Sequence, residues 1–232
     1  MTIPLLDPHK VGFPDPNTAQ EEPDGLLAAG GALSVDWLLT AYAMGIFPWF
    51  NDDYDAILWW SPAQRAVLVP GQMKVSRSLA KRIRNGGMSV AVDQHFNAVI
   101  QACAGPRPKA DGTWITPRMR SAYVDLFEAG FAHCVSVHQD NKLVGGLYGV
   151  SLGNLFFGES MFSHQPDASK IAFYFLQQQL QQWQFQLIDC QMMNPHLESL
   201  GVREMPRAEF LNILADNEIT QTRIGPWRFE LD

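Results

Sequence analysis

The sequence has 232 residues, of which 47% are hydrophobic and 18% are charged, and this balance excludes an intrinsically disordered chain. Its 17 basic and 24 acidic residues give a net charge of −7, which excludes nucleic-acid binding through bulk positive charge but allows a local basic patch. The length fits one large domain, or one ordinary domain with a smaller one.

Cysteine usage and the N-terminal sequence indicate the compartment. Cys103, Cys134 and Cys190 are scattered and odd in number, so neither a disulfide framework nor a cysteine zinc site is expected. The start, MTIPLLDPHKVGFPDP, has acids and four prolines where a signal peptide needs a basic start and an apolar run. The longest weakly charged stretch, Trp37 to Phe50, is too short to span a bilayer. We therefore expect a reduced, soluble, cytoplasmic protein without a membrane segment.

The N-terminal part differs from the rest of the chain because it is rich in proline and glycine and has one clear helix. Ser34 is placed to cap that helix, and apolar residues recur at helical spacing as far as Ile46. Pro62 is a plausible boundary. We predict a small N-terminal domain, 1–62, and a larger domain, 63–232.

From Arg65 onward the pattern alternates between strands and helices. In chain order we predict a strand at 65–69, a basic helix at 76–85, a strand at 88–92, a helix capped by Asp93, a Pro/Gly loop at 104–113, a helix starting at Thr116-Pro117, strands at 133–138, 142–150 and 154–162, a long helix from Asp167 or Ser169 to Trp183, a strand at 187–191 and a helix opened by Pro206. The pair Gly145-Gly146 predicts a bulge or a close backbone approach. A meander of strands followed by a β-α-β crossover predicts a mixed α/β fold, in the order found in Gcn5-type N-acyltransferase domains.

Glu159 is unusual because it lies in the apolar strand NLFFGESMF. With a period of two it shares a face with Leu155, Phe157 and Met161. An unpaired carboxylate there would be costly, so Glu159 needs either a functional role or a structural partner such as an arginine or backbone amides. We favour the functional role.

A second polar pair occurs in LIDCQ. Asp189 and Gln191 would point to one face at the end of a strand and converge on a small polar group. The alternative, in which Asp189 caps the turn toward Asn194-Pro195, is equally favoured by the sequence.

The predicted basic helix carries Arg77, Lys81 and Arg84 at i, i+4 and i+7, which places them on one face opposite Leu79 and Ile83. That face is a candidate phosphate-contacting surface, although an ordinary solvated helix face is the commoner explanation.

Trp49, Trp59, Trp60 and Trp114 fall in loops. A tryptophan in a loop bounded by proline can stack on a nucleic-acid base or fill a seam between domains, and we expect some of each.

Several cofactor motifs are missing. An acyl-coenzyme A enzyme would carry a glycine-rich turn where this chain has FSHQPDASK. The sequence contains neither a GxxxxGK[ST] loop nor an HExxH pair, so we predict no cofactor and no metal site.

The sequence closely resembles the leucyl/phenylalanyl-tRNA–protein transferase family over nearly its whole length, from about Phe13 to about Phe210. The segments that carry the resemblance are GIFPWF (45–50), LWWSP (58–62), GTWIT (112–116), AYVDLFEAGFAH (122–133), LVGGLYGV (143–150), FFGESMFSH (156–164), DASK (167–170), LIDCQ (187–191), HLESLG (196–201) and PRAEFL (206–211). The resemblance implies a small N-terminal domain joined to an acyltransferase-like domain. It also implies transfer of leucine, phenylalanine or methionine from aminoacyl-tRNA to an N-terminal arginine or lysine of an acceptor protein, which is thereby marked for N-degron degradation.

The resemblance also implies a role for particular residues. Trp49 and Trp114 would hold the 3′-terminal adenosine. The side-chain pocket would be lined by Leu147, Phe156, Ser160 and Ile188. The reacting ester and the incoming amine would be surrounded by Glu159, Asp189 and Gln191. The tRNA acceptor stem would meet Arg77, Lys81, Arg82 and Arg84.

Two departures from the family pattern are visible. Ser136 and His138 stand where the family commonly has Glu and Trp, which puts a role for that strand in acceptor binding in doubt. Leu147 stands where the family often has Met, a nearly isosteric change.

The implied reaction needs no ATP, metal or coenzyme A, because an activated ester is exchanged for an amide. We expect Glu159 and Asp189 to orient the cationic acceptor and Gln191 to position the amine, with Asp189 as general base the rival mechanism. Two other functions stay open: a coenzyme A-dependent N-acetyltransferase, which the missing turn disfavours, and a non-catalytic tRNA- or peptide-binding module. We expect a monomer.

Overall fold

A computed structural model describes residues 3–105 and 113–230. Most of the loop predicted at 104–113 lies outside these residues. The strands are β1 (Leu5–Leu6), β2 (Leu26–Gly30), β3 (Phe47–Pro48), β4 (Leu58–Trp60), β5 (Gln64–Leu68), β6 (Met88–Val92), β7 (Ala132–Gln139), β8 (Lys142–Leu152), β9 (Leu155–Ser163), β10 (Leu187–Asp189) and β11 (Arg203–Pro206). The helices are α1 (Val35–Ala43), α2 (Arg77–Asn85), α3 (Phe96–Cys103), α4 (Pro117–Glu128), α5 (Ala168–Gln182), α6 (Pro195–Ser199) and α7 (Arg207–Ala215).

The strands form two sheets within the described residues. The N-terminal sheet has the order β1-β2-β4-β3, and the larger sheet has the order β11-β5-β10-β9-β8-β7-β6. Strands β9 and β10 pair in parallel across the α5 crossover, whereas the other pairs of the larger sheet are antiparallel. The predicted mixed α/β fold is confirmed. A domain division at residue 62 stays a prediction.

Helices α1, α2 and α4 begin where the sequence predicts, because a hydroxyl accepts from a backbone N–H of the first turn. Ser34 Oγ accepts from Trp37, Ser76 Oγ from Leu79 (3.2 Å), and Thr116 Oγ1 from Met119 (3.3 Å).

The predicted cap of α3 is wrong. Asp93 has a left-handed backbone (φ 54°), and His95 precedes the helix without a side-chain cap. The Asp93 carboxylate instead accepts from Cys134 N (2.9 Å) and Trp227 N (2.7 Å). The carboxylate that was predicted to cap α3 therefore binds backbone groups that are distant in sequence.

Gly145 brings α5 directly onto β8. A Cβ built at Gly145 would lie 2.4 Å from the Cβ of Ala168, so only glycine permits this contact. The predicted close backbone approach is confirmed.

Two apolar clusters lie on opposite faces of the larger sheet. Two neighbouring residues of β9 belong to different clusters. Phe157 lies in the cluster under α1, α3 and α4, and Phe156 lies in the cluster under α2 and α5. The first cluster also contains Trp37 and Trp59, so the N-terminal sheet shares its core with the larger one. Among the described residues, no helix is long and apolar enough to cross a membrane.

Candidate active site

Two adjoining cavities open at the junction of the sheets. The first, of about 170 Å³, is mostly apolar, and its own lining includes Leu147, Phe156, Ser160, Met161, Phe173, Leu176, His196 and Leu197. The second, of about 410 Å³, has its own lining of Phe47, Pro48, Trp49, Met192 and Met193. Both are lined by Trp114, Glu159, Cys190, Gln191 and Asn194. These shared residues form a common wall where groups held in the two cavities would meet.

A β-bulge sets the direction of Glu159. Tyr148 of β8 pairs with Ser160, while Gly149 pairs with Gly158, so Glu159 is the extra residue on β9. The bulge reverses the alternation beyond it, and Met161 lies on the opposite face from Phe157. The predicted common face of Phe157 and Met161 is therefore wrong.

The Glu159 carboxylate is held by three side chains. Tyr42 Oη and Gln191 Nε2 each donate to Oε1 at 2.8 Å, and Tyr123 Oη donates to Oε2 at 2.7 Å. Burial raises the pKa of Glu159 to about 7, and the nearby charge of Asp189 also raises this pKa. The hydrogen bonds from Tyr123, Tyr42 and Gln191 act in the opposite direction and lower it. A carboxyl that titrates near neutrality is unusual and marks a candidate functional group.

Asp189 lies behind this wall, with no exposed surface. Arg65 donates from Nε to Oδ1 (3.2 Å) and forms a close ion pair with Oδ2 through Nη2. Oδ1 also accepts from the backbone N–H of Gln191 at 2.9 Å. Asp189 thus holds Gln191 in place, and its charge is balanced by a buried arginine.

Gln191 bridges the two carboxylates, although not in the predicted way. Strand β10 ends at Asp189, and Gln191 has a left-handed backbone (φ 58°) instead of continuing the strand. The expectation that Asp189 and Gln191 share a strand face is wrong. The Asp189 side chain accepts from the backbone N–H of Gln191, and this hydrogen bond stabilises a turn at the end of β10. The turn directs the amide to Glu159.

The predicted side-chain pocket residues separate into two groups. Leu147, Phe156 and Ser160 line the first cavity. Ile188 is fully buried in the core cluster beneath it, packed away from the lining.

Trp49 and Trp114 both line the second cavity and are both half-buried. The carbonyl of Trp49 accepts from Trp60 Nε1 at 2.8 Å, which fixes the loop that carries it. By contrast, Trp59 and Trp60 lie in β4, so the prediction that they fall in a loop is wrong, and Trp59 is fully buried in the N-terminal core.

The basic helix α2 exposes Arg77, Lys81 and Arg84 on one face, whereas Leu79 is buried. Arg82 is different because its guanidinium pairs with Asp167 (Nε to Oδ2, 3.4 Å) at the start of α5.

Sequence reasoning missed Tyr42, Tyr123 and Arg65 as site residues. Both tyrosines fit the apolar stripe of a helix, and Arg65 begins a strand, so each has an ordinary structural explanation. The sequence contains one indication of a role for the tyrosines: Tyr42 and Tyr123 carry a hydroxyl at positions that the helical pattern assigns to the core.

Family models match both parts of the chain. The model described as leucyl/phenylalanyl-tRNA protein transferase matches residues 67–215, and the model of its N-terminal domain matches residues 31–63.

Curated relatives are similar over nearly their full length. The leucyl/phenylalanyl-tRNA–protein transferase of Thiobacillus denitrificans is 53% identical over 94% of this chain and 95% of its own. That of Stutzerimonas stutzeri is 56% identical over 94% of this chain and 96% of its own.

Solved structures are more distant. A GCN5-related N-acetyltransferase from Kribbella flavida has a TM-score of 0.39 and 13% identity over 72% of this chain and 58% of its own. The C-terminal domain of a protein from Agrobacterium fabrum named a putative lysylphosphatidylglycerol synthetase has a TM-score of 0.45 and 12% identity over 83% of this chain and 73% of its own. Scores this low carry no argument about activity.

Proposed function

The chain belongs to the leucyl/phenylalanyl-tRNA protein transferase family, and we propose that it transfers leucine, phenylalanine or methionine from aminoacyl-tRNA to the N-terminal arginine or lysine of an acceptor protein. The names of its relatives support an aminoacyl-tRNA donor and a protein acceptor. We further propose that the enzyme acts as a cytoplasmic monomer and that its product enters N-degron degradation.

The adjoining cavities are the observation that carries this proposal. The apolar cavity suits the side chain of the transferred amino acid. The cavity beside Trp49 and Trp114 suits the 3′-terminal adenosine, because an indole ring can stack on a base. The ester that joins these two groups would then lie at the common wall, beside Glu159 and Gln191.

The reaction does not need a strong general base. The acceptor is an α-amine with a free pKa of roughly 7.7–8.0, so part of it is neutral at physiological pH. Holding that amine against an activated ester, in a site sheltered from water, supplies much of the rate. Cofactor chemistry is not required for exchange of an ester for an amide.

Asp189 acts in this proposal as a positioning residue. Arg65 and the Gln191 backbone engage both of its oxygens, so it fixes the Gln191 amide instead of meeting the substrate. An Asp189→Asn variant separates this role from that of a general base. Positioning predicts weaker acceptor binding at an intact single-turnover rate, whereas a general base predicts a slower rate at unchanged affinity.

The exposed face of α2, formed by Arg77, Lys81 and Arg84, would meet phosphates of the acceptor stem. Arg82 would not meet these phosphates as an unpaired charge, because its guanidinium already pairs with Asp167.

The test is direct transfer. Labelled leucyl-, phenylalanyl- or methionyl-tRNA is mixed with the protein and an acceptor that begins with arginine, and label is expected to move to the acceptor. An N-terminally acetylated copy of the same acceptor should stay unlabelled, since its amine is blocked. Absence of transfer from all three donors, or labelling from acetyl-coenzyme A instead, would contradict the proposal.

A further inference from the structure

Four oxygen atoms of three side chains close a ring at the common wall of the cavities. Tyr42 Oη lies 2.8 Å from Glu159 Oε1, Tyr123 Oη lies 2.7 Å from Glu159 Oε2, and the two phenol oxygens lie 2.6 Å apart. All three separations are those of O–H···O hydrogen bonds. The residues come from α1, α4 and β9, so the tertiary fold brings them together.

Counting protons shows which form of Glu159 fits this geometry. Each phenol has one O–H, so an ionised Glu159 leaves two protons for three contacts, and one of the three pairs of oxygens, which lie 2.6–2.8 Å apart, would have no proton between them. A protonated Glu159 supplies the third. Its hydroxyl donates to one tyrosine, which reverses the direction of one of the two tyrosine–carboxylate bonds given above for the ionised form. That tyrosine donates to the second, and the second donates back to the other carboxyl oxygen.

Gln191 is compatible with this arrangement. Its Nε2 donates to Oε1 at 2.8 Å, and an oxygen can accept that bond whether it is the carbonyl or the hydroxyl oxygen of the acid.

We propose that Tyr42, Tyr123 and Glu159 form a closed hydrogen-bonded ring that stores one proton, and that this ring carries the proton from the attacking amine to the leaving ribose oxygen. The relay rests on the proposed function, whereas the stored proton does not. Glu159 is the catalytic residue of the ring because it lines both cavities, and the tyrosines position its proton.

The balance of the step is simple. The amine nitrogen forms a bond with the ester carbonyl carbon, and the bond from that carbon to the ribose oxygen breaks. The neutral acid gives its hydroxyl proton to the ribose oxygen and accepts one proton from the nitrogen. The ring ends as it began, and the net transfer is one proton from amine to ribose hydroxyl.

The surroundings agree with a neutral acid at rest. Burial raises the pKa of Glu159 to about 7, so the neutral acid predominates below that pH. Burial is also the largest cause that raises the pKa values of Tyr42 and Tyr123 well above 10.0, so both phenols keep their protons. The other titratable or charged groups that face the ring are Tyr148 of β8 and Asp189 of β10, the latter paired with Arg65.

Infrared spectroscopy tests the stored proton without any reaction. At about pH 6, ordinary Asp and Glu side chains, with pKa values of about 3.9 and 4.3, are ionised. The difference spectrum between the natural protein and Glu159→Gln should therefore contain the carbonyl band of one protonated carboxyl. The band should shift in Tyr42→Phe and in Tyr123→Phe. It should not shift in Tyr54→Phe, the same change at a side chain that is 98% exposed.

Single-turnover kinetics test the relay. Tyr42→Phe and Tyr123→Phe should each slow transfer at saturating substrates by about 100-fold, the lower range of acid–base catalysis, with unchanged donor and acceptor affinities. The double variant should be no slower than the worse single variant, because a ring broken once has lost its function. Tyr54→Phe should keep the natural rate.

The outcomes separate the two ideas. If the spectra contain no Glu159-dependent carboxyl band at about pH 6, the ring is contradicted, whether or not the protein transfers amino acids. A band with unchanged rates in the tyrosine variants, or with rate losses that multiply in the double variant, overturns the relay. If a tyrosine variant does not fold, the comparison of the natural protein with Glu159→Gln still decides the ring.

Discussion

In the proposed function, single residues of the first cavity decide which amino acid it accepts. Phe156 and Phe157 are adjacent on β9, yet only Phe156 contributes to the lining, because alternate side chains of a strand face opposite sides of the sheet. An apolar slot of this kind separates substrates weakly, by about 1–3 kcal/mol per methylene, and mainly through its shape.

Phe156→Leu should therefore change the preference among leucyl, phenylalanyl and methionyl donors by about 10-fold before it abolishes transfer. The measurement is the ratio of kcat/KM values for the three charged tRNAs. Phe185→Leu is the matched control, since Phe185 is a buried phenylalanine at a similar distance from Trp227 (6.1 Å, against 6.0 Å for Phe156) but lies outside the lining. Equal ratios in both variants would contradict the assignment of the slot.

At the scale of elements, α2 concentrates positive charge on a chain whose net charge is −7. Binding of tRNA through this helix should weaken steeply as salt is added, because neutralised phosphates release their counterions.

Lys81→Gln should weaken tRNA binding and lower the magnitude of the slope of log K against log salt by about 1. The slope is measured from affinities at several salt concentrations. Lys142→Gln serves as the control, because Lys142 is exposed at the β7–β8 hairpin. If the two variants have the same slope, α2 does not contact phosphate.

The C-terminal segment is fixed to β7 by a buried cluster. His133 Nδ1 lies 2.8 Å from Asp93 Oδ2, the same oxygen accepts from Trp227 N at 2.7 Å, and the His133 and Trp227 rings stack 3.6 Å apart. Burial lowers the pKa of His133, although the Asp93 contact opposes this.

This cluster predicts how stability depends on pH. With a lowered pKa in the folded state, His133 takes up a proton more readily when unfolded, so its contribution to stability falls as pH drops below about 6.5, by at most about 1.4 kcal/mol per pH unit. Glu159, whose pKa is raised to about 7, acts in the opposite direction. The measurement is the free energy of unfolding in urea at several pH values. Because Glu159 acts equally in both proteins, the free energy of the natural protein should fall relative to that of His133→Gln as pH drops below about 6.5.

The control for this prediction is His9→Gln, because His9 is exposed and should leave the pH dependence unchanged. An identical pH dependence in His133→Gln and the natural protein would contradict the assignment.

At the scale of the whole molecule, Arg65 joins the two sheets. Besides its pair with Asp189, Arg65 donates from Nη1 to the carbonyl of Gly45 at 2.7 Å, and its guanidinium lies over the rings of Phe47 and Phe210. The segment that ends α1 is thereby tied to β5 and β10.

Arg65→Met should lower the free energy of unfolding by about 3–5 kcal/mol, because it leaves Asp189 buried without a partner. Urea unfolding measures the loss. The double variant Arg65→Met/Asp189→Leu should recover a large part of it, since no isolated charge remains. Arg203→Met on the neighbouring strand, where the arginine is exposed, should change stability by less than about 0.5 kcal/mol. An equal effect at both arginines would contradict this account.

Local patterns predicted the longer elements well and the shorter ones poorly. Helix α4, with Thr116 before Pro117, and the β7–β8 hairpin around Asp140-Asn141 are confirmed. Strands β1 to β4, β11 and the five-residue α6 were not predicted. Segments of two to five residues display a period only weakly, and among the elements this short only β5, β6 and β10 were predicted.

The sequence by itself determined that this chain forms a mixed α/β protein, that Glu159 and Gln191 are polar groups in apolar surroundings, and that it resembles one transferase family. Those conclusions depend on composition, period and local motifs, which act over a few residues. Only the tertiary structure decided that Asp189 pairs with Arg65, 124 positions away, and that Tyr42 and Tyr123 meet at Glu159. Such contacts depend on how helices dock on the sheet, and no local pattern records that geometry.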